Sequence, residues 1–213
     1  VIIAIDGPAA AGKGTLARRL AAEFGFAYLD TGALYRAVGL TLLKRGIDPA
    51  DTTAAEDASA NLDLSLFDDP ELRAEATGGA ASKVAAMPRV RANLLDFQKN
   101  FAANPPGGKK GAVLDGRDIG TVVCPDADLK LFVTASAEVR AERRRLEMEG
   151  RGQAADFDAI LADVRARDER DMGRKDAPLK PAEDALLLDT SNLDIDAVFL
   201  RAANLVKDRL TPQ

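Results

Sequence analysis

The chain reads as an α/β protein, a central parallel sheet with helices on both faces. Three observations predict it. Five short apolar runs, Val1–Asp6, Phe26–Asp30, Gly111–Asp115, Leu129–Thr134 and Ala185–Asp189, have the length and composition of strands covered on both faces. Segments with helical spacing separate them, and strands alternating with helices build a parallel sheet. The first run passes directly into Gly7-Pro8-Ala9-Ala10-Ala11-Gly12-Lys13-Gly14-Thr15, a glycine-rich turn that opens a helix.

The elements follow in order. Lys13–Phe24 is expected to be a helix, with Leu16, Leu20 and Phe24 on one stripe. After the short strand Phe26–Asp30, a helix is expected from about Ala33 to Arg45, with Thr31 placed to cap it. Between about 47 and 106 the rhythm changes. Leu62–Phe67 alternates like a half-exposed strand, and Glu71–Ala76 is placed to pair with it through Asp68-Asp69-Pro70. Gly78-Gly79 predicts a break before a helical stretch around Val90–Phe101, and Pro105-Pro106-Gly107-Gly108 closes the segment like a linker. Residues 47–106 are therefore expected to form an inserted subdomain on a core made of 1–46 and 107–213. In the last helix Ile195, Val198, Phe199, Ala202, Leu205 and Val206 repeat at helical spacing, and Asp194 or Asn192 is placed to cap it. No internal repeat or low-complexity tract is visible.

Composition excludes several classes. The 213 residues suffice for one α/β domain with an insert. With 29 Lys+Arg against 34 Asp+Glu, the net charge of −5 argues against a general nucleic-acid or membrane surface. Cys124 is the single cysteine, so neither an internal disulfide nor a cysteine-based zinc cluster can form. There is no histidine, which removes histidine-dependent catalysis and most transition-metal sites. No apolar stretch approaches membrane-spanning length, and Asp6 interrupts the first one short of a signal core. A cytoplasmic, monomeric enzyme is the expectation. The sequence begins at Val1, so a processed or trimmed start is expected, which bears on no functional argument.

The glycine-rich turn is the strongest chemical signal. A loop that wraps a phosphate must aim several backbone N–H groups inward, and a side chain at Gly7 or Gly12 would block the turn or the approach. The helix it opens adds its positive end, and Lys13 supplies an ammonium for the outer phosphates. The segment Gly7 to Thr15 (Gly7, Pro8, Ala9, Ala10, Ala11, Gly12, Lys13, Gly14 and Thr15) is thus a candidate nucleoside triphosphate site. The common P-loop places Ser or Thr directly after the lysine to hold Mg²⁺. Here that position is Gly14, and the GKGT ending resembles the nucleoside monophosphate kinases. In that family the metal is held mainly by phosphates and water, so Mg²⁺ is expected without an assigned protein ligand.

Further candidates lie at other strand ends, where open α/β sheets place ligands. Asp30-Thr31-Gly32-Ala33-Leu34-Tyr35-Arg36 follows the second strand, with Arg36 in reach of a second phosphate or simply facing solvent. Asp115-Gly116-Arg117-Asp118 follows the third in the same way. Arg167, Arg170, Asp171 and Arg174 fall at i, i+3, i+4 and i+7, on one predicted helix face. Arg140, Arg143, Arg144 and Arg145 form another basic cluster. Such runs are ordinarily solvated, but transfer between two phosphates requires several negative charges to be neutralised.

IDGPAAAGKGT, LDTGALYR, ASKVAAMPRVR, DGRDIGTVVCPDA and RARDERDMGR occur in the order seen in bacterial cytidylate kinases, and the chain resembles that family over nearly its whole length. The resemblance implies a P-loop three-layer fold with a five-stranded parallel sheet, a monophosphate-binding insert at 47–106 and a short lid at about 140–156. It implies that Gly7–Thr15 holds ATP and that Arg36, Arg117 and Arg174 grip the monophosphate. Ser82, Arg91 and Asp118 would face cytosine, Arg167 and Asp171 the ribose, and Thr31 would lie in the CMP site, with a hydroxyl where the family often has serine. Arg140, Arg143 and Arg144 would belong to the lid over the ATP phosphates, with Arg144 counted among the catalytic groups. Cys124 replaces the bulky apolar residue often found there. The chemistry is consistent, since a carboxylate accepts from the exocyclic amine of cytosine and repels the corresponding carbonyl of uracil. The implied reaction is ATP + CMP ⇌ ADP + CDP, with dCMP as a second acceptor and closure of lid and insert excluding water. A P-loop kinase for another small acceptor, such as shikimate, is the nearest alternative. A nucleotide switch is a second, although neither an NKxD nor a DxxG motif is present.

Overall fold

Ile2–Asp6 (β1) is the middle strand of a five-stranded sheet in the computed structural model, which describes residues 1–210. The other strands are Ala27–Asp30 (β2), Ala112–Gly116 (β3), Leu129–Thr134 (β4) and Leu186–Asp189 (β5), in the order β2-β3-β1-β4-β5. β1 runs parallel to both neighbours, with Asp6 opposite Gly116 on β3 and Phe132 on β4. β4 and β5 are likewise parallel, with Thr134 opposite Asp189. The carboxyl ends of these strands therefore line up, and the loops that follow β1, β3 and β4 leave from one edge. Ile3, Ile5, Val113, Leu114, Leu131 and Val133 are fully or almost fully buried, which explains the unbroken apolar runs.

Lys13–Phe24 (α1) matches the predicted helix. It opens at Gly12 (φ 91°) and closes at Gly25 (φ 67°), a left-handed stop that costs glycine little. Its stripe of Leu16, Ala17, Leu20 and Ala21 packs in one core with Ile3, Ile5 and the buried face of Ile195–Leu210 (α8), namely Val198, Ala202, Ala203 and Val206. Burying each such leucine stabilises the fold by about 1.5–3 kcal/mol. Asp194 caps α8 by accepting from the Ala197 N–H.

The chain divides into two compact units, Val1–Leu29 with the chain from Pro105 onward, and Asp30–Asn104. The second is helical: Thr31–Lys44 (α2), Thr52–Ala60 (α3), Glu75–Val84 (α4) and Pro88–Ala103 (α5). Leu34, Val38, Leu42, Ala55, Ala58, Val84, Val90 and Leu94 form its core. Three expectations are corrected here. Asp30, not Thr31, caps α2 by accepting from Ala33 N–H, and Thr31 is the first helical residue. The expected hairpin over 62–76 is instead two 3-10 turns, Leu64–Asp68 and Pro70–Arg73. Asp63 and Asp69 accept from Ser65 N–H and Glu71 N–H, and these local bonds outcompete a strand ladder. Gly78-Gly79 lies inside α4 rather than breaking the chain. A Cβ at Gly39 would sit 2.9 Å from that of Ala80, so α2 and α4 approach closely through small residues.

In the first unit Ala137–Gly150 (α6) packs against Phe157–Met172 (α7) through Ala141, Ile160 and Val164. α7 ends at Met172, so Arg174 lies beyond it and does not continue the helix face of Arg167, Arg170 and Asp171. Among the described residues no helix is long and apolar enough to cross a membrane.

Candidate active site

The loop from β1 to α1 has the backbone its glycines predict. Gly7 adopts φ 149°, and a Cβ there would overlap the carbonyl oxygen of Val133 on β4. Ala10 has φ 58° and Gly12 φ 91°, so the loop turns twice through left-handed geometry before the helix starts. No side chain caps α1, which leaves its first N–H groups and the positive end of its dipole for an anion. Lys13 is buried, and its Nζ donates to the Pro8 carbonyl at 2.9 Å, folding the ammonium back over its own loop.

Side chains from α6 and from the end of β5 brace this loop, and Tyr28 and Asp115 lie beside the start of α1. Tyr28 donates to Asp115 Oδ2 at 2.9 Å, and a Cβ at Gly14 would lie 3.3 Å from that oxygen and 3.6 Å from Arg18 Nη1. A side chain at the position after Lys13 would therefore press on the Asp115 carboxylate. Arg140 is buried on α6, where its Nη1 donates to Asp168 at 3.0 Å and to the Ala9 carbonyl at 3.2 Å. Its Nε donates to the Ala135 carbonyl at 2.9 Å, so one guanidinium ties α6 and α7 to the loop. Arg143 donates to the side chain and carbonyl of Thr190, whose hydroxyl lies 3.3 Å from the Ala11 carbonyl. Arg144 lies 3.3 Å from Glu147 on the more open side of α6.

The turn after β3 carries the second group. Arg117 Nε donates to Asp171 Oδ2 at 2.9 Å. Burial pushes the Asp171 carboxyl upward, but Arg117, Arg167 and Arg174 together outweigh it and hold the carboxyl below its usual range. These four residues of the first unit thus form one electrostatic cluster. Asp118 is buried beside them in sequence and precedes a π-helical turn, Ile119–Val123. Asp6, the last residue of β1, accepts from Ile119 N–H at 2.8 Å and Gly120 N–H at 2.7 Å. Burial pushes its carboxyl up to about 6, against the pull of those two bonds and of Lys13, with Asp118 adding a further push.

The remaining predicted residues belong to the second unit. Arg36 on α2 donates to the Leu72 carbonyl at 3.1 Å and lines the bare face of Gly78, where a Cβ would meet it at 3.2 Å. Arg91 on α5 lies over the Tyr35 ring, 5.6 Å from its centroid, and donates to the Ala85 carbonyl. Ser82 is buried on α4.

Sequence reasoning missed Asp6, Tyr28, Asp168 and Thr190. Two of these carried a signal. Asp6 is a lone charge in an apolar strand, and Asp189-Thr190 repeats the strand-then-polar pattern seen at Asp30 and Asp115.

The parallel sheet, the glycine-rich loop at the end of its middle strand and the helix it opens define a P-loop phosphate-binding fold. The family model for cytidylate kinase matches residues 3–208. A cytidylate kinase of Paramagnetospirillum magneticum is 62% identical over 205 residues, covering 96% of this chain and 97% of the relative. One of Brucella suis biovar 1 is 58% identical over 209 residues, covering 98% and 94%. Two solved structures share the fold alone: a sugar kinase from Janibacter sp. HTCC2649 (16% identity, TM-score 0.51, 99% and 98% covered) and an uncharacterized protein from Eubacterium ventriosum (13%, 0.54, 97% and 98%). The chain belongs to the cytidylate kinase family.

Proposed function

We propose that this chain transfers the γ-phosphoryl group of ATP to CMP, and to dCMP as a second acceptor, giving ADP and CDP or dCDP. An oxygen of the acceptor phosphate forms the new bond to the γ-phosphorus, and the bond from that phosphorus to the β,γ-bridging oxygen breaks. The acceptor oxygen is already ionised, so no strong general base is required, in agreement with a chain that lacks histidine.

The observation that carries this reading is the uncapped start of α1 behind the Gly7–Gly12 turn, with Lys13 folded over it. Lys13 leaves the Pro8 carbonyl for the outer phosphates, and the backbone N–H groups hold the inner ones. Arg36, Arg117 and Arg174 bind the acceptor phosphate, Ser82, Arg91 and Asp118 the cytosine, and Arg167 and Asp171 the ribose. Thr31 adds a hydroxyl to the same acceptor. Arg144 neutralises charge on the transferred group, and residues 140–156 serve as the lid. The insert of 47–106 carries two of the cytosine-facing side chains, Ser82 and Arg91.

Among the described residues no three acidic, cysteine or histidine side chains cluster to cage a metal. On this reading Mg²⁺ sits on the nucleotide, held mainly by phosphates and water, with no protein ligand assigned. When bound, it would supply positive charge against the triphosphate beside Lys13. The protein works as a cytoplasmic monomer that engages neither nucleic acid nor membrane.

The test is ADP release from Mg-ATP with CMP, dCMP, UMP, AMP, GMP and shikimate. Rapid turnover confined to CMP and dCMP is expected. Strong turnover of another acceptor keeps the kinase and discards the cytosine site, and no turnover with any acceptor overturns the reading.

A further inference from the structure

Asp6 is a carboxylate at the end of a strand whose other residues are apolar, and it is only 4% exposed. Burying an ionisable group there is costly, and the residue is one position outside the loop expected to touch ATP. Its two oxygens are both used. One accepts from Ile119 N–H, the other from Gly120 N–H. These are the opening N–H groups of the turn Ile119–Val123. The residue ahead of that turn is Asp118 (φ −145°, ψ 25°), whose own side chain does not cap it. The cap comes from Asp6, 113 residues earlier in the chain. Lys130 shares that side of the turn: a Cβ at Gly120 would meet Lys130 Cδ at 3.1 Å and Asp6 Oδ2 at 3.4 Å, so both side chains crowd the same face of Gly120. Lys130 itself is paired to Asp184 at 2.8 Å.

We propose that Asp6 is a positioning residue for base recognition, which fixes Asp118 relative to the start of the phosphate loop by capping the turn behind it. The inference rests on the cytidylate kinase reading, in which Asp118 faces cytosine. Only a carboxylate suits the task. It offers two acceptors and no donor, whereas a carboxamide must present its NH₂ to one of the two N–H groups. The result is one frame: the residue that begins the donor loop also holds the residue that reads the acceptor.

The test is steady-state kinetics of the full chain and its Asp6→Asn variant, with Mg-ATP against CMP and UMP. The variant is expected to lose about tenfold in kcat/KM for CMP, the worth of one charge-assisted hydrogen bond. Its CMP-over-UMP preference should narrow by a similar factor, while KM for ATP stays within about twofold. In an Asp118→Ala background the same substitution should shift that preference by less than about twofold, because the group it positions is gone. Equal losses on CMP and UMP, a rise confined to KM for ATP, or additive effects of the two substitutions each overturn the proposal. An unchanged preference in Asp118→Ala alone overturns it as well. If Asp6→Asn does not melt cooperatively, Asp6→Ser takes its place; failure of both makes Asp6 a folding residue and refutes a positioning role. Failure of the underlying reading is seen separately, as absence of CMP-dependent ADP release in the unsubstituted chain.

Discussion

Arg117 Nε donates to Asp171 Oδ2 at 2.9 Å, joining the turn after β3 to the last turn of α7. The carboxylate holds one guanidinium and balances those of Arg167 and Arg174. Asp171→Asn keeps the shape and removes the charge. Its kcat/KM for CMP is expected to fall about ten- to a hundredfold, with KM for ATP little changed, because Arg117 loses the partner that orients it. Steady-state rates with each substrate varied in turn would decide; an effect on KM for ATP alone would place the pair on the donor side.

Lys13→Ala tests the donor loop. Lys13 is buried and bonded to its own loop at Pro8, so the fold should survive its truncation. The turnover number should drop at least about a hundredfold, as expected when a charge on the transferred phosphates is removed. Circular dichroism and rates together check it, and near-normal turnover removes Lys13 from the mechanism.

The strands and the glycine-rich turn into α1 were legible because each is local. β4 and α1 have the predicted bounds, since an unbroken apolar run, a helical stripe and flanking glycines each lie within a dozen residues. The hairpin expected over 62–76 failed for an equally local reason that alternation does not register. Leu62, Leu66 and Phe67 pack around Leu72, but Asp63 and Asp69 close 3-10 turns over the intervening residues. At Gly78 the Arg36 side chain of α2 occupies the space a Cβ would fill, a tertiary contact that low helix propensity does not register, whereas nothing in the structure explains Gly79. Arg174 fell off its predicted helix face because periodicity carries no information on where α7 stops. Asp6 stands out as a lone charge in an apolar strand, but its capping role was hidden, as its partners lie 113 and 114 residues away.

Arg140 is held by Asp168 and by two backbone carbonyls, so the geometry makes it a strut for the P-loop. Arg140→Met leaves Asp168 without its partner and should destabilise the protein by roughly 3–5 kcal/mol. Adding Asp168→Leu should recover most of that loss. KM for ATP should stay raised in the double variant, because the bond to Ala9 is still missing. Thermal melts and ATP kinetics on the set separate the two effects; recovery of both would reduce Arg140 to an ion-pair partner.

The raised Asp6 carboxyl has a signature in stability. Asp6 holds its proton up to about pH 6 in the folded chain, but only to about 4 when unfolded. The folded state therefore binds more protons in that window, and this group's contribution falls as pH rises through it, by about 3 kcal/mol in all. Asp6→Asn cannot titrate there. Unfolding free energies of both proteins from pH 4 to 7 should shift in favour of the variant; a constant difference would mean that Asp6 titrates normally.

The contact between Gly7 and the Val133 carbonyl implies that the anion site is assembled by strand pairing, before any nucleotide arrives. Its ordering entropy is spent in folding, not at the moment of binding. Affinity for the triphosphate and resistance to heat thus become two readings of one equilibrium. A change that loosens β4 far from any phosphate should be felt as weaker nucleotide binding, and saturating ATP should raise the melting temperature of the loosened protein as well as the original.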